Sequence, residues 1–186
     1  LLGTVGADTE VRQAARTLWD DASDAALQAA ALHVVAWTAT VEEHAEIERR
    51  WRAAVTPQDE QRYLHALAET DHEALFVRTV GIALTDVRSQ DAPYLLRQLV
   101  GHPTLGSRAW DAVESGWSDL MDQFAPVSVP RLLEGVRHIT DAALADRIGA
   151  FLGDHPVPVA ALQVDQHLER MRVNVATATA VRTQLG

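Results

Sequence analysis

The stretch VEEHAEIERRWRAAVTPQD, residues 41–59, carries the pattern that decides the fold class. Ile47, Trp51, Ala54 and Val55 are spaced at i, i+4, i+7 and i+8, so they line one face of an α-helix while charged residues occupy the other faces. Thr56, Pro57 and Asp59, which follow, are typical of the start of a new helix. We therefore predict two helices here, joined by a short connection.

The same organisation repeats along the chain. Glycine and proline lie between apolar-periodic segments rich in alanine, leucine, glutamate, glutamine and arginine, which favours helices throughout. Ten helices are predicted, at residues 8–20, 24–38, 41–55, 57–69, 71–84, 90–100, 105–124, 129–138, 141–152 and 157–182. Short connections favour antiparallel hairpins of consecutive helices. We predict an all-α fold, a HEAT-like superhelix of antiparallel helix hairpins, that forms a single domain over residues 1–186.

The composition excludes several classes of protein. The chain has 26 acidic and 16 basic side chains, for a net charge of −10, and no cysteine. The negative charge repels phosphate and argues against binding to nucleic acid or to an anionic membrane surface. No apolar run reaches the length of about 18 residues that a membrane span needs. Without cysteine there is no disulfide scaffold and no thiolate nucleophile. All the basic residues are arginine. As a separate expectation, we place the protein in the cytoplasm.

The most suggestive metal motif is incomplete. His72 and Glu73 match the first half of the zinc-peptidase signature HExxH, but the position of the second histidine holds Phe76. His65 and Glu69 share a helix face and have no third ligand nearby in sequence. We find no nucleophile elbow and no phosphate-binding loop, and we expect the five tryptophans to anchor the helical core. Taken alone, the residues predict no active site, metal or cofactor in this chain.

Four motifs, in this order along the chain, resemble one known family. They are VRSQDA at 87–92, GSRAWD at 106–111 with GWSDL at 116–120, FLGDHPVP at 151–158, and Gln166, Glu169 and Asn174 in the final helix. Together they are similar to the C-terminal helical domain of aminopeptidase N-type zinc metallopeptidases, a family that includes the puromycin-sensitive and endoplasmic-reticulum aminopeptidases. The resemblance covers nearly the whole chain. It departs from the family at 175–177, where VAT replaces an aromatic residue.

The resemblance implies that the chain is a C-terminal fragment of a zinc aminopeptidase. In this family the zinc and its HExxH ligands lie in an upstream catalytic domain, and the helical domain closes over that partner and encloses the peptide substrate. By match to the motif, Arg88, Gln90 and Asp91 are candidates for the chamber wall, where Arg88 could pair with a peptide carboxylate. In the alternative interpretation, Ser89 and Asp91 cap a helix while Arg88 and Gln90 hold a neighbouring loop.

A second function stays open at this point. A free-standing HEAT-like scaffold that binds protein partners would have the same helical pattern. If the chain is a fragment, its separation from the catalytic domain exposes an apolar face, and we then expect self-association. The sequence does not indicate peptide specificity, because the resemblance places the pocket for the N-terminal side chain in the catalytic domain.

Overall fold

The computed structural model describes residues 2–21 and 24–185, which form eleven α-helices and no strand. The helices are α1 (Thr9–Asp21), α2 (Ala25–Trp37), α3 (Val41–Arg52), α4 (Pro57–Leu67), α5 (Glu73–Thr85), α6 (Ala92–Val100), α7 (Gly106–Ser115), α8 (Trp117–Gln123), α9 (Val129–Leu133), α10 (Ala142–Asp154) and α11 (Ala161–Leu185). Short 3-10 helices occur at Pro126–Ser128, Glu134–His138 and Pro158–Ala160. The all-α prediction is confirmed.

The chain divides into two compact units, Leu1–Thr79 and Val80–Gly186, with the division inside α5. The single domain predicted over residues 1–186 stays a prediction. Among the described residues, no helix is both long enough and apolar enough to cross a membrane.

The first unit is built from helix hairpins. α1 packs against α2, and α3 packs against α4. Because each pair is joined by only a few residues, its two helices run antiparallel, as the short connections predicted. The buried faces include Leu32 and Val35 of α2, Ile47 of α3 and Leu67 of α4. Apolar burial between hairpins therefore organises this unit.

Polar side chains fasten the start of α3. Thr40 Oγ1 accepts from the backbone N–H of Glu43 at 3.2 Å, and the Glu43 carboxylate accepts from the N–H of Thr40 at 2.9 Å. Arg16 of α1 donates to the same carboxylate at 2.6 Å. Burial alone would raise the pKa of Glu43, but the hydrogen bonds from Arg16 and Thr40 outweigh it and hold that pKa below its usual range. The carboxylate thus ties α1 to α3.

The end of α3 differs from the prediction. Ile47 and Trp51 are buried as predicted, but the helix ends before Val55, which is 96% exposed. The cause lies in the next helix. Thr56 caps α4 by accepting from the N–H of Asp59 at 3.1 Å, and a cap residue needs extended backbone. The prediction that Val55 faces the core was wrong.

The second unit packs around α6. Leu95, Leu96, Leu99 and Val100 of this helix are fully buried. α7, α9 and the 3-10 helix Glu134–His138 all contact α6, and α11 packs in turn against that 3-10 helix. Three elements of the second unit therefore pack against one short helix, α6.

Two glycines let the backbone approach α6 closely. A Cβ at Gly135 would lie 2.4 Å from the carbonyl oxygen of Arg97, and a Cβ at Gly106 would lie 2.4 Å from that of Val100. No side chain fits in either place without a backbone shift. The 3-10 helix and the start of α7 can pack against α6 only because these positions are glycine.

Two predicted helices of this unit are interrupted. The helix predicted at 105–124 is split into α7 and α8 at Gly116, whose backbone has φ −98° and ψ 14°. Glycine has low helix propensity, which explains the break. The helix predicted at 129–138 is α9 followed by a 3-10 turn, in which Gly135 approaches α6. Because the helix predicted at 105–124 is two helices, the structure has eleven α-helices among the described residues where ten were predicted.

Candidate functional site

The three predicted wall residues lie on the turn between α5 and α6. The N–H of Asp91 donates to the carbonyl of Arg88 at 2.8 Å and closes this turn. Val87 and Ala92, on either side, are buried, whereas Arg88 and Gln90 are exposed. Apolar anchors at both ends therefore hold a polar turn at the surface of the second unit.

Two of the three side chains contact each other. Arg88 Nε donates to Asp91 Oδ2 at 2.9 Å, and the two side chains are 58% and 19% exposed. Gln90 makes no hydrogen bond to the residues that the structure describes. Asp91 occupies the N-cap position of α6 but makes no side-chain cap hydrogen bond. Its carboxylate orients the Arg88 guanidinium instead, so the alternative in which the Asp91 side chain caps the helix was wrong.

The aromatic residues of the later motifs form one cluster. The rings of Trp110 and Trp117 meet Phe151 edge-on, with centroids 5.8 Å and 5.4 Å apart. His155 stacks on Phe151 at 4.1 Å and lies 2.9 Å from its carbonyl oxygen through Nδ1. Such pairs stabilise packing beyond the area they bury. Trp110 and Trp117 are buried, which confirms their role as core anchors, although they lie on separate helices.

The second unit also contains an ion-pair network that the sequence did not predict. Glu134 lies 3.1 Å from Arg97 Nη1 and 3.5 Å from Arg137 Nη1. Burial would raise the pKa of Glu134, but the hydrogen bond from Arg97 and the charges of both arginines hold it below its usual range. Asn174 of α11 donates to the carbonyl of Arg137, which gives this motif residue a structural role.

The most deeply buried titratable side chain lies in the first unit. His44 is 1% exposed, and its Nε2 lies 3.1 Å from Thr79 Oγ1. The Thr79 hydroxyl also lies within hydrogen-bond distance of the backbone carbonyl oxygens of Leu67 and Leu75. Burial lowers the pKa of His44, which is therefore neutral near pH 7. One helical turn on, Glu48 accepts from Arg78 of α5 at 2.9 Å. The contacts of His44 with Thr79 and of Glu48 with Arg78 link α3 to α5, and we assign these side chains a structural role.

A comparison with protein families matches residues 1–173 to the family described as the ERAP1-like C-terminal domain. The chain belongs to this family. A search of the curated proteins found no match. The match includes the turn at 87–92 and the aromatic cluster, and it confirms the resemblance to the C-terminal domain of aminopeptidase N-type enzymes.

Metal-ligating side chains are not grouped in the described part of this ERAP1-like C-terminal domain, where no three histidine, aspartate or glutamate residues lie close enough to hold one ion. Phe76, at the position where HExxH requires histidine, is fully buried in apolar core. Glu69, which shares a predicted helix face with His65, lies 3.2 Å from His33 Nδ1. Neither His72 with Glu73 nor His65 with Glu69 therefore fits a zinc site among the described residues.

Proposed function

We propose that this chain is the non-catalytic C-terminal domain of a zinc aminopeptidase that removes N-terminal residues from peptides, and that it helps to enclose the peptide chamber. The observation that carries the proposal is membership of the ERAP1-like C-terminal domain family over residues 1–173. In such an enzyme the zinc belongs to the catalytic domain of the same polypeptide. That domain and the peptide substrate are the partners we assign to this chain.

We assign Arg88, Gln90 and Asp91 to the chamber wall. The Arg88 guanidinium is exposed on a turn that is anchored at both ends, and a guanidinium matches a peptide carboxylate bidentately. Asp91 holds Arg88 through Nε, which orients the side chain before a peptide arrives. The neighbouring Gln90 amide supplies both a donor and an acceptor for a peptide backbone. The turn therefore positions peptides and has no part in bond cleavage.

The test of the wall uses the full-length parent enzyme. Arg88→Ala is expected to raise KM for long peptides by about tenfold, the worth of one charged hydrogen bond, while hydrolysis of a short aminoacyl-anilide stays unchanged. Arg182→Ala on the exposed end of α11 removes the same charge and serves as the matched control. Equal peptide KM values for the two variants would contradict the assignment of Arg88.

A separate test distinguishes the aminopeptidase from the free-standing scaffold. The reading frame upstream of Leu1 should encode HExxH followed by a downstream glutamate, and a start codon directly before Leu1 would favour the scaffold. The purified 186-residue chain should hydrolyse no aminoacyl-anilide and should hold no stoichiometric zinc. Robust zinc-dependent hydrolysis by this chain alone would contradict the non-catalytic role.

A further inference from the structure

Tyr94 is a large aromatic side chain on the surface of the first turn of α6. It is 40% exposed. Its neighbours on the same turn are all buried: Ala92, Pro93, Leu95 and Leu96. The core of the second unit is therefore built by these neighbours, and the contacts of the Tyr94 ring lie at the surface.

Tyr94 shares a helix face with Asp91 of the turn at 88–91. The N–H groups of Tyr94 and Leu95 donate to the carbonyl of Asp91 at 3.0 Å and 3.3 Å, so Asp91 belongs to the same helical turn. Residues three apart on a helix are neighbours, with Cβ atoms about 5–6 Å apart. Tyr94 thus lies beside the carboxylate that accepts from Arg88 at 2.9 Å. The exposed ring continues the surface that we assigned to the chamber wall.

An arginine of another helix lies over this ring. Cζ of Arg131, from α9, is 5.0 Å from the centroid of the Tyr94 ring, a distance at which the π electrons attract a guanidinium. Arg131 makes no ion pair with a residue that the structure describes. Glu134 lines the same depression as Arg131, but it is bonded to Arg97 and Arg137. The charge of Arg131 therefore remains available to a ligand.

The guanidinium groups of Arg88 and Arg131 lie within the length of one peptide. Arg88 contacts Asp91, and Arg131 contacts Tyr94 on the same helical turn. The contact distances and side-chain lengths, added together, place the two guanidinium groups at most about 20 Å apart. An extended peptide of about six residues spans that distance.

We infer that Tyr94 and Arg131 extend the chamber wall, and that Arg131 makes the enzyme select peptides with an acidic rather than a basic side chain near the carboxylate that Arg88 binds. The inference rests on the proposed function. A carboxylate of the peptide pairs with the Arg131 guanidinium, whereas a lysine or arginine of the peptide is repelled by it. Tyr94 acts through Arg131 and is a positioning residue.

The test measures KM of the full-length parent enzyme for pairs of long peptides. The two peptides of a pair differ only by glutamate or lysine at one position, and that position is moved along the C-terminal part of the peptide. At one position or more, KM should be lower for the glutamate peptide by about fivefold, the upper range for an exposed ion pair. Because both peptides of a pair are measured on the same enzyme, a general loss of activity cancels in the ratio.

Reversal of the charge gives the decisive variant. Arg131→Glu should reverse the preference, because the new carboxylate attracts lysine and repels glutamate. Arg182→Glu makes the same change on the exposed end of α11 and should keep the preference of the wild-type enzyme. A loss of stability would change both peptides alike and would not reverse their order.

The positioning role of Tyr94 has a separate readout. Tyr94→Phe keeps the aromatic ring under Arg131 and should keep the preference. Tyr94→Leu removes the ring and should reduce the ratio of the two KM values to less than about twofold. An unchanged ratio in Tyr94→Leu would contradict this role.

The inference is overturned if the wild-type enzyme shows no preference at any position, if Arg131→Glu does not reverse it, or if Arg182→Glu changes it as Arg131→Glu does. The proposed function fails by different results: the absence of HExxH upstream of Leu1, or zinc-dependent hydrolysis by this chain alone. A reversed preference in Arg131→Glu with an unchanged KM in Arg88→Ala would support the role of Arg131 and contradict only that of Arg88.

Discussion

Gly135→Ala would place a methyl group against the backbone of α6. The new Cβ would lie 2.4 Å from the carbonyl oxygen of Arg97 and 3.0 Å from Cβ of Val100, whereas real Cβ atoms essentially never come within 3.0 Å of such atoms. Neither neighbour is the end of a flexible side chain. The 3-10 helix Glu134–His138 must therefore move away from α6, at the centre of the second unit.

The size of the effect follows from two opposing contributions. Overpacking a well-packed core costs about 1–3 kcal/mol, and the upper part of this range applies because a backbone carbonyl cannot rotate away. Alanine also restricts the unfolded chain, which stabilises by about 0.5–1 kcal/mol. We expect Gly135→Ala to lower the free energy of unfolding by about 2 kcal/mol. Gly149→Ala in α10 is the control, because a Cβ there meets nothing within 4 Å.

The assay compares the same substitution, glycine to alanine, at position 135 and at position 149. Gly149→Ala should raise the free energy of unfolding by about 0.5–1 kcal/mol, so the two variants should differ by about 3 kcal/mol. Urea unfolding followed by far-UV circular dichroism, with a slope of about 1–3 kcal/mol per molar, should separate their midpoints by roughly 1–3 M. If Gly135→Ala unfolds at the same urea concentration as Gly149→Ala, or at a higher one, the close approach does not limit this position.

Three further predictions concern stability and association. Burial holds the pKa of His44 below its unfolded value of 6.5, so the unfolded state takes up the proton first as the pH falls. The free energy of unfolding, measured with urea, should therefore fall from about pH 7 to pH 5. If His44→Gln shows the same dependence of this free energy on pH, His44 is not the cause. Trp110 Nε1 is buried without an acceptor in the described part of the chain. Trp110→Phe should therefore lower the free energy of unfolding, measured with urea, by less than about 1 kcal/mol, whereas Trp110→Ala should lower it by about 3–5 kcal/mol. Similar losses of free energy in the two variants would refute this prediction. Val127, Val159 and Leu162 are exposed, and light scattering should show self-association that rises with concentration, whereas a strictly monomeric chain would contradict it.

Helical periodicity predicted core positions better than helix ends. Ile47 and Trp51 are buried because they repeat at the period of the helix, a property that is local in sequence. Val55 continues the same period but lies beyond the end of α3, since Thr56 stops the helix to cap the next one. Gly116 likewise divides a segment whose apolar pattern continues through it. Periodicity records which face is apolar and contains no information on where capping interrupts the helix.

The same division between local and distant contacts applies to the site. Arg88 and Asp91 are three residues apart, so their pairing lies within reach of sequence reasoning. Glu134 meets Arg97 across 37 residues, and only the packing of the 3-10 helix on α6 brings them together.

The chemistry of the ion pairs has a consequence for the behaviour of the protein in alkaline solution. The pairs that join Glu43, Glu48, Asp91 and Glu134 to their partners all use guanidinium groups, and the sequence contains no lysine. A guanidinium keeps its proton where a lysine ammonium would lose it. Base therefore cannot remove the cation from these pairs, whereas acid can neutralise their carboxylates. Acid can therefore break these four pairs between guanidinium and carboxylate groups, and base cannot.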